Sequence, residues 1–307
     1  MDIYNKIANL KNKYPKMVMA LGMFDGVHRG HQEVIQRTVE LAQKIQGTPA
    51  VFTFNNHPLT VLNADTAPLQ IANTKLREKK LADFGITVLI NIDFTKEFAK
   101  ISPDEFLKIL QDNFAPIYLV TGSNYTFGAS GSGTAATLTK KELAYGFKTE
   151  ICPAVEILGN IVSSTRIRAL IASDDLAKVN ECLGYPFTVI DKVIHGDKRG
   201  RTIGFPTANI AIDDTRAMLP NGVYAVRVIY NQRNYNGIAN IGDNPTFIGC
   251  NRRIEVNIEN FSENIYDKEL TVEFIAKLRA EKKFSGANEL IAAINQDKIA
   301  AKKYYKF

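Results

Sequence analysis

The chain has 307 residues, 45% of them hydrophobic and 23% charged, with a net charge of +6. That length supports two globular cores of ordinary composition, and no apolar run reaches the roughly 20 residues that cross a bilayer. The basic excess is spread over both halves without a long lysine block, which favours anionic small molecules over nucleic acid. Cys152, Cys182 and Cys250 stand far apart with no metal-ligand spacing. The expectation is a cytoplasmic protein with reduced thiols, no signal peptide and no membrane partner.

In chain order, Met1 to Asn12 reads as a short helix. Met17 to Leu21 is an apolar run expected as a buried strand. It leads into Gly22-Met23-Phe24-Asp25-Gly26-Val27-His28-Arg29-Gly30-His31 and then a helix over Gln32 to Gln46, where Val34, Ile35, Val39, Leu41 and Ala42 keep helical spacing. A strand, a glycine-rich turn and a helix start present free N–H groups and the positive end of the helix dipole to an anion such as phosphate. Gly22, Phe24, Asp25 and Gly26 are the candidate binding residues of this turn. His28 and His31, two of the four histidines in the chain, add donors to the same anion.

Pro49 to Phe54 is a second strand, ending in Asn55-Asn56-His57-Pro58. His57 either faces a ligand at the strand's C-terminal end, where open α/β sheets bind, or is a turn residue fixed by Pro58. Thr74 to Phe84 is a helix with Gly85 as its cap. Val88 to Ile92 is a strand, and Ser102, Pro103 and Glu105 form a capping-box signature for the next helix. Ile117 to Thr121 is a fourth strand. The alternation predicts an α/β domain, a parallel sheet with helices on both faces. The glycine-rich stretch Gly122 to Thr134 has neither Walker nor dinucleotide spacing. In it Asn124, Tyr125 and Phe127 are either ligand contacts, with the two aromatics stacking on a planar ring, or parts of a flexible loop. A further strand region begins at Ile151. In Ser163-Ser164-Thr165-Arg166-Ile167-Arg168 the hydroxyls are N-cap candidates. Arg166 and Arg168 oppose the dipole of the helix they open, so they either serve an anion or are simply solvated.

Asp174 to Leu183 is a helix, and Gly184-Tyr185-Pro186 breaks the chain, giving domains 1–186 and 187–307. Period-two runs follow at 187–193, 222–228, 235–241, 254–258 and 270–275, a pattern that predicts a small antiparallel barrel. A last helix over Ser285 to Tyr305 is expected to pack on it through Leu290, Ile291 and Ile294, with Lys302, Lys303 and Lys306 as a basic helix end. Gly196, Gly200 and Gly204 alternate with Lys198, Arg199 and Arg201, which makes either a phosphate nest or a basic hairpin. Thr207 and Asn209, expected on one strand face, can hold Mg²⁺ together with phosphate oxygens and waters. Glu255, next to Arg252 and Arg253, reads from sequence alone as a salt-bridge partner more readily than as a base.

Together these motifs resemble the bacterial bifunctional riboflavin kinase/FMN adenylyltransferase (FAD synthetase) family, over about Pro15 to Lys302. His28-Arg29-Gly30-His31 is similar to the H-x-G-H signature of the nucleotidylyltransferase superfamily, which has a Rossmann-like parallel sheet. Ser163 to Arg168 is similar to its Ser-Ser-Thr-x-Ile-Arg motif, and Gly122 to Gly128 to its Gly-x-Asn-Tyr-x-Phe-Gly loop. Pro206 to Asn209 is similar to the flavokinase Pro-Thr-Ala-Asn motif, and Leu278 to Phe284, with Arg279, to its closing Leu-Arg-x-Glu-x-x-Phe. The chain departs from the family at Asn257, where His is usual, at Asp267, where Gly is usual, and in the variable loop Gly242 to Pro245.

The resemblance implies two reactions on ATP, riboflavin and FMN. Glu255 becomes the base that activates the riboflavin 5′-hydroxyl toward the γ-phosphate of ATP, with Thr207 and Asn209 on Mg²⁺. FMN then attacks the α-phosphate of a second ATP, and His28, His31 and Arg168 stabilise the charge on the departing pyrophosphate. The rivals are a chain with only one of these activities, above all an adenylyltransferase with an inactive kinase barrel, and a flavin- or nucleotide-binding regulator without turnover. A monomer or a weak homo-oligomer is expected.

Overall fold

The computed structural model describes residues 1–196, 200, 204–243 and 252–305. The chain divides into two compact units, the first made of Met1–Pro68 and Arg77–Ser163, the second of Leu69–Leu76 and Ser164–Phe307.

The first unit is built on a fully parallel sheet. Its strands are β1 (Asp2–Tyr4), β2 (Met17–Leu21), β3 (Thr48–Phe54), β4 (Val88–Ile92), β5 (Tyr118–Gly122) and, beyond a two-stranded ribbon of β6 (Thr126–Phe127) and β7 (Gly133–Thr134), β8 (Lys148–Cys152). Their order is β1-β4-β3-β2-β5-β8. Side chains alternate across the sheet. Met17, Met19 and Leu21 join one buried cluster with Phe106, Leu107 and Leu110, while Val18 and Ala20 join another with Val34, Ile35 and Leu81. Helices therefore cover both faces, as the alternation predicts: α1 (Arg29–Ile45) on one, and α4 (Pro103–Asn113) and α5 (Ala135–Tyr145) on the other. Between α1 and α4 lie the short α2 (Leu59–Leu62) and α3 (Thr74–Asp83), the latter crossing from the second unit into the first at Leu76/Arg77. A hairpin of β9 (Glu156–Ile157) and β10 (Asn160–Ile161) ends the first unit.

The N-terminal helix expected over Met1 to Asn12 does not form. Asp2–Tyr4 instead pairs in parallel with Val88–Ile90 at the sheet edge. A ring pair, Tyr4 and Tyr14, whose hydroxyls lie 2.7 Å apart, ties this strand to the chain entering β2. The capping box at Ser102 and Glu105 is present on both sides, with Pro103 as the first helical residue.

The second unit opens with α6 (Ser164–Ala172) and α7 (Leu176–Leu183), which Gly184 caps in the left-handed conformation. Then come β11 (Phe187–Lys192), β12 (Ala208–Ala211), β13 (Gly222–Tyr230), β14 (Arg233–Asp243), β15 (Arg252–Ile258) and β16 (Glu269–Ala280). They run antiparallel in the order β11-β16-β13-β14-β15-β12. A bridge between Ile194 and Asn209 brings the two ends of that order together and nearly closes a barrel. Residues 69–76 lie along it as a strap: Gln70 exchanges backbone hydrogen bonds with Thr215 and Ala217, and Asn73 donates to the Ile190 carbonyl at 2.8 Å. The C-terminal helix α8 (Ala287–Ala301) packs through Ile294 and Ala301 with Tyr304 and Tyr305. Leu290 and Ile291, also expected in that contact, are half-buried, as Ile294 is.

Candidate active sites

In the first unit the glycine-rich turn lies just past the C-terminal end of β2, in the middle of the sheet. The chain passes from β2 to β3 and β4 on one side and later to β5 and β8 on the other, so this is a topological switch point, where open sheets bind ligands. The turn is strained. Phe24 has φ 52°, Gly26 φ 76° and Val27 φ 35°, and a positive φ is costly for a β-branched residue. Three donors hold it: Thr53 Oγ1 to the Met23 carbonyl at 3.1 Å, Arg77 Nη1 to the same carbonyl at 3.4 Å, and Gln32 Nε2 to the Val27 carbonyl at 2.8 Å. Phe24 and Asp25 are buried in it.

His28 is the N-cap of α1, and its Nδ1 accepts the His31 backbone N–H at 3.3 Å. In the neutral ring this leaves the proton on Nε2. The two imidazoles stack with centroids 3.6 Å apart and planes 16° apart, and the Phe24 ring meets His31 at 5.3 Å, edge to face. A Cβ at Gly30 would sit 3.3 Å from the His28 ring, so a larger residue there would push that ring by a few tenths of an ångström. His31 keeps an exposed edge, but its Nδ1 is buried with no hydrogen-bond partner among the described residues. Burial first, then the nearby His28 and Arg77, hold the His31 pKa well below the usual imidazole range, so His31 is neutral at pH 7.

Other predicted residues of this unit have local roles. His57 Nδ1 accepts the Leu59 N–H at 3.2 Å at the start of α2, and Asn56 is bonded to Phe94. Tyr125 and Phe127 stack on each other at 5.8 Å, and Phe127 is buried against Phe106. Asn124 is exposed, its Oδ1 folded toward Gly122. The Gly122 to Thr134 stretch thus forms a ribbon whose aromatic side is partly spent on the core. Ser163 ends the first unit.

In the second unit Ser164, Thr165, Arg166 and Arg168 occupy the first turns of α6. Arg168 Nε donates to the Leu69 carbonyl at 2.6 Å. On the barrel, Asn209 lies directly opposite Glu255, which lies directly opposite Asn240 on its other side. These three share one face of the sheet. Val223 and Ala225, in register with Asn240 and Ile238, pack with Ile294, Tyr304 and Tyr305, so the C-terminal helix covers this same face. Thr207 lies just ahead of β12, its carbonyl 3.5 Å from Asn209 Nδ2. A Cβ at Gly196 would lie 2.4 Å from Asn209 Nδ2, so the glycine leaves the amide its room. Arg253 Nη1 reaches Asn209 Oδ1 at 3.4 Å. Gly200 and Gly204 precede Phe205, whose N–H bonds to the Gly200 carbonyl at 2.8 Å. Lys198 and Arg201 lie outside the described residues, as do Cys250, Lys306 and the Asn244-Pro245 part of the variable loop.

Arg279 is turned to α8. Its Nε and Nη2 clasp the buried Asp297 carboxylate at 2.9 and 2.8 Å. Lys298, next on the helix, sits 4.8 Å over the Phe205 ring. Asn257, the family departure, donates through Nδ2 to the Pro206 carbonyl at 2.7 Å. It supports the residues just before Thr207, and an imidazole N–H at that position can make the same kind of bond.

Residues 10–166 match the family model of FAD synthetase, and residues 183–305 match that of riboflavin kinase. The chain is 38% identical over 304 residues to the bifunctional riboflavin kinase/FMN adenylyltransferase of Bacillus subtilis, covering 96% of this chain and 95% of the relative. It is 34% identical to the protein of the same description from Escherichia coli K12, over 94% and 92% of the two chains. The chain belongs to the bifunctional riboflavin kinase/FMN adenylyltransferase family. A crystal structure described as a macrolide-efflux protein from Streptococcus pneumoniae superposes with a TM-score of 0.86 at 32% identity, over 99% of this chain and all of that one. No helix among the described residues here is long and apolar enough to cross a membrane.

Within the frame of the bifunctional family, the histidine turn falls in the FAD synthetase match, and Asn209 and Glu255 in the riboflavin kinase match. Sequence reasoning missed Arg77, Thr53 and Asp297. The signal for Arg77 was its place four residues before Leu81, on the buried stripe of α3, where a charge is out of keeping with its neighbours.

Proposed function

We propose that this chain phosphorylates riboflavin to FMN on its barrel and adenylylates FMN to FAD at its histidine turn, using one ATP for each. The observation that carries the reading is the presence, in one chain, of a complete strand–turn–helix with stacked His28 and His31 and of a barrel face on which Asn209 and Glu255 stand side by side.

On the barrel, Glu255 takes the proton of the riboflavin 5′-hydroxyl as its oxygen attacks the γ-phosphate of ATP. Thr207 and Asn209 fit Mg²⁺ by donor type: a hydroxyl and an amide oxygen are hard, neutral ligands that leave the remaining positions to phosphate and water. The bound ion supplies charge neutralisation at the β- and γ-phosphates. Gly196, Gly200 and Gly204, with the basic residues between them, suit close approach of the phosphates to the backbone.

At the turn, the FMN phosphate oxygen attacks the α-phosphate and pyrophosphate leaves. The nucleophile is already ionised, so the protein's task is to offset repulsion between anions. The N-terminus of α1 and the two imidazoles suit that task. A neutral His31 acts as an N–H donor rather than as a cation. Arg168 is assigned to this step by its Ser-Ser-Thr-x-Ile-Arg motif. The chain is proposed to act in the cytoplasm, as a monomer or weak homo-oligomer.

The test is a time course with riboflavin, ATP and Mg²⁺, separated by chromatography. FMN followed by FAD is expected. Riboflavin left untouched while added FMN is converted to FAD would reduce the chain to an adenylyltransferase. Tight flavin binding without product from either flavin would make it a binding protein.

A further inference from the structure

Arg77 is 5% exposed, yet no carboxylate hydrogen-bonds it among the described residues. A buried guanidinium is costly to desolvate, and burial lowers its pKa, with Asp25 acting in the opposite direction. What it touches accounts for its retention. Nη1 donates to the Phe54 carbonyl at 2.9 Å and to the Met23 carbonyl at 3.4 Å, and Nη2 donates to Asn91 Oδ1 at 3.0 Å. Those three acceptors stand at the C-terminal ends of the adjacent strands β3, β2 and β4. One planar fork thus spans three strands at the edge where the ligand turn begins. The Met23 carbonyl receives Thr53 Oγ1 as well, so the peptide leading into the left-handed Phe24 is held by two donors. Strain of the kind seen at Phe24 and Val27 persists only where surroundings over-determine the conformation.

We propose that Arg77 is a positioning residue for adenylyl transfer: it fixes the Met23–Phe24 peptide and, through the strained turn, the stacked His28 and His31. The inference rests on the reading of that turn as the adenylylation site. A lysine cannot replace it, because one ammonium on a flexible stem does not present the planar fork that reaches three acceptors.

The test uses the full chain with Arg77→Met and Arg77→Lys, with both reactions followed in each preparation. FMN formation from riboflavin reports that the barrel unit is intact, and a cooperative thermal melt together with dispersed His28 and His31 imidazole signals reports that the parallel-sheet unit carrying the substitution is folded. In Arg77→Lys, kcat for FAD formation is expected to fall by about tenfold, with a much smaller change in KM for FMN, because misplacing the donors costs the transition state more than binding. Arg77→Met is expected to lose more. NMR titration of the imidazole Cε1–H signals gives a second readout. His31 is faced by His28 and Arg77, so its midpoint should move up in Arg77→Met, which removes a positive charge, and stay near the wild-type position in Arg77→Lys. If Arg77→Met does not fold, Arg77→Lys decides alone. FAD turnover within twofold of wild type in every folded variant would overturn the proposal. Absence of FAD formation in the wild-type protein would instead overturn the underlying reading, and the two failures are told apart by that control.

Discussion

His31 joins two properties that usually exclude each other, a buried nitrogen and a place at the edge of a ligand turn. Its neutral state follows from burial, and it sets a pH dependence. In the unfolded chain the imidazole takes a proton near pH 6.5, whereas in the folded chain it stays neutral well below that. The folded state therefore has its full stability from this group above about pH 6.5. It loses stability as pH falls below that value. Thermal unfolding between pH 7.5 and pH 5 should show this slope, and His31→Phe should flatten it. For activity, His31→Ala is expected to cost on the order of a hundredfold in FAD formation, the worth of one transition-state donor, while FMN formation persists. Glu255→Gln should do the reverse: no FMN from riboflavin, but FAD from added FMN. Equal loss of both activities in either variant would sink the two-site assignment.

At the scale of elements, much was legible because the signals were local. The apolar run before Gly22, the spacing from Val34 to Ala42 and the Ser102–Glu105 box each specify their structure from neighbours a few residues away. The strand β1 was not legible, because two exposed residues and a half-buried Tyr4 at a sheet edge carry no pattern; only pairing with β4 makes them a strand. The helix α5 was hidden behind the glycine-rich stretch it follows. The pairing of Arg279 with Asp297 was likewise out of reach, since it joins residues of a strand and a helix through tertiary packing. Arg77 shows the same limit at the site itself, because its three acceptors come from three different strands. The β9–β10 hairpin offers a check on local strain. Its tip residue Leu158 has φ 53° and is 61% exposed. Leu158→Asn should raise the melting temperature, by an amount worth up to about 1 kcal/mol, because asparagine tolerates the left-handed region; an unchanged melting curve would count against strain at the tip.

For the molecule as a whole, the two sets of motifs were legible in their order along the chain, and the strap was not. Residues 69–76 lie between two elements of the parallel sheet, with nothing in their composition to send them to the barrel. Their anchors are the backbone exchange of Gln70, the Asn73 amide and an ion pair of Lys75 with Glu269. A fragment starting at Phe187 lacks these contacts and also α6 and α7, whose Asn180 side chain accepts the Phe187 N–H at 2.7 Å and donates to the Phe274 carbonyl at 3.0 Å. Such a fragment should melt at a lower temperature than one starting at Ser164, and adding a 69–76 peptide to the longer fragment should raise its melting point further.

The strap also bears on how a gene of this kind can be cut. In a chain whose second unit borrows eight residues from within the first, any single cut between the units leaves the barrel without its strap. During synthesis the borrowed segment emerges more than a hundred residues before the strands it lies against, so on the ribosome it must wait for β11 and β16 before it has anything to pair with.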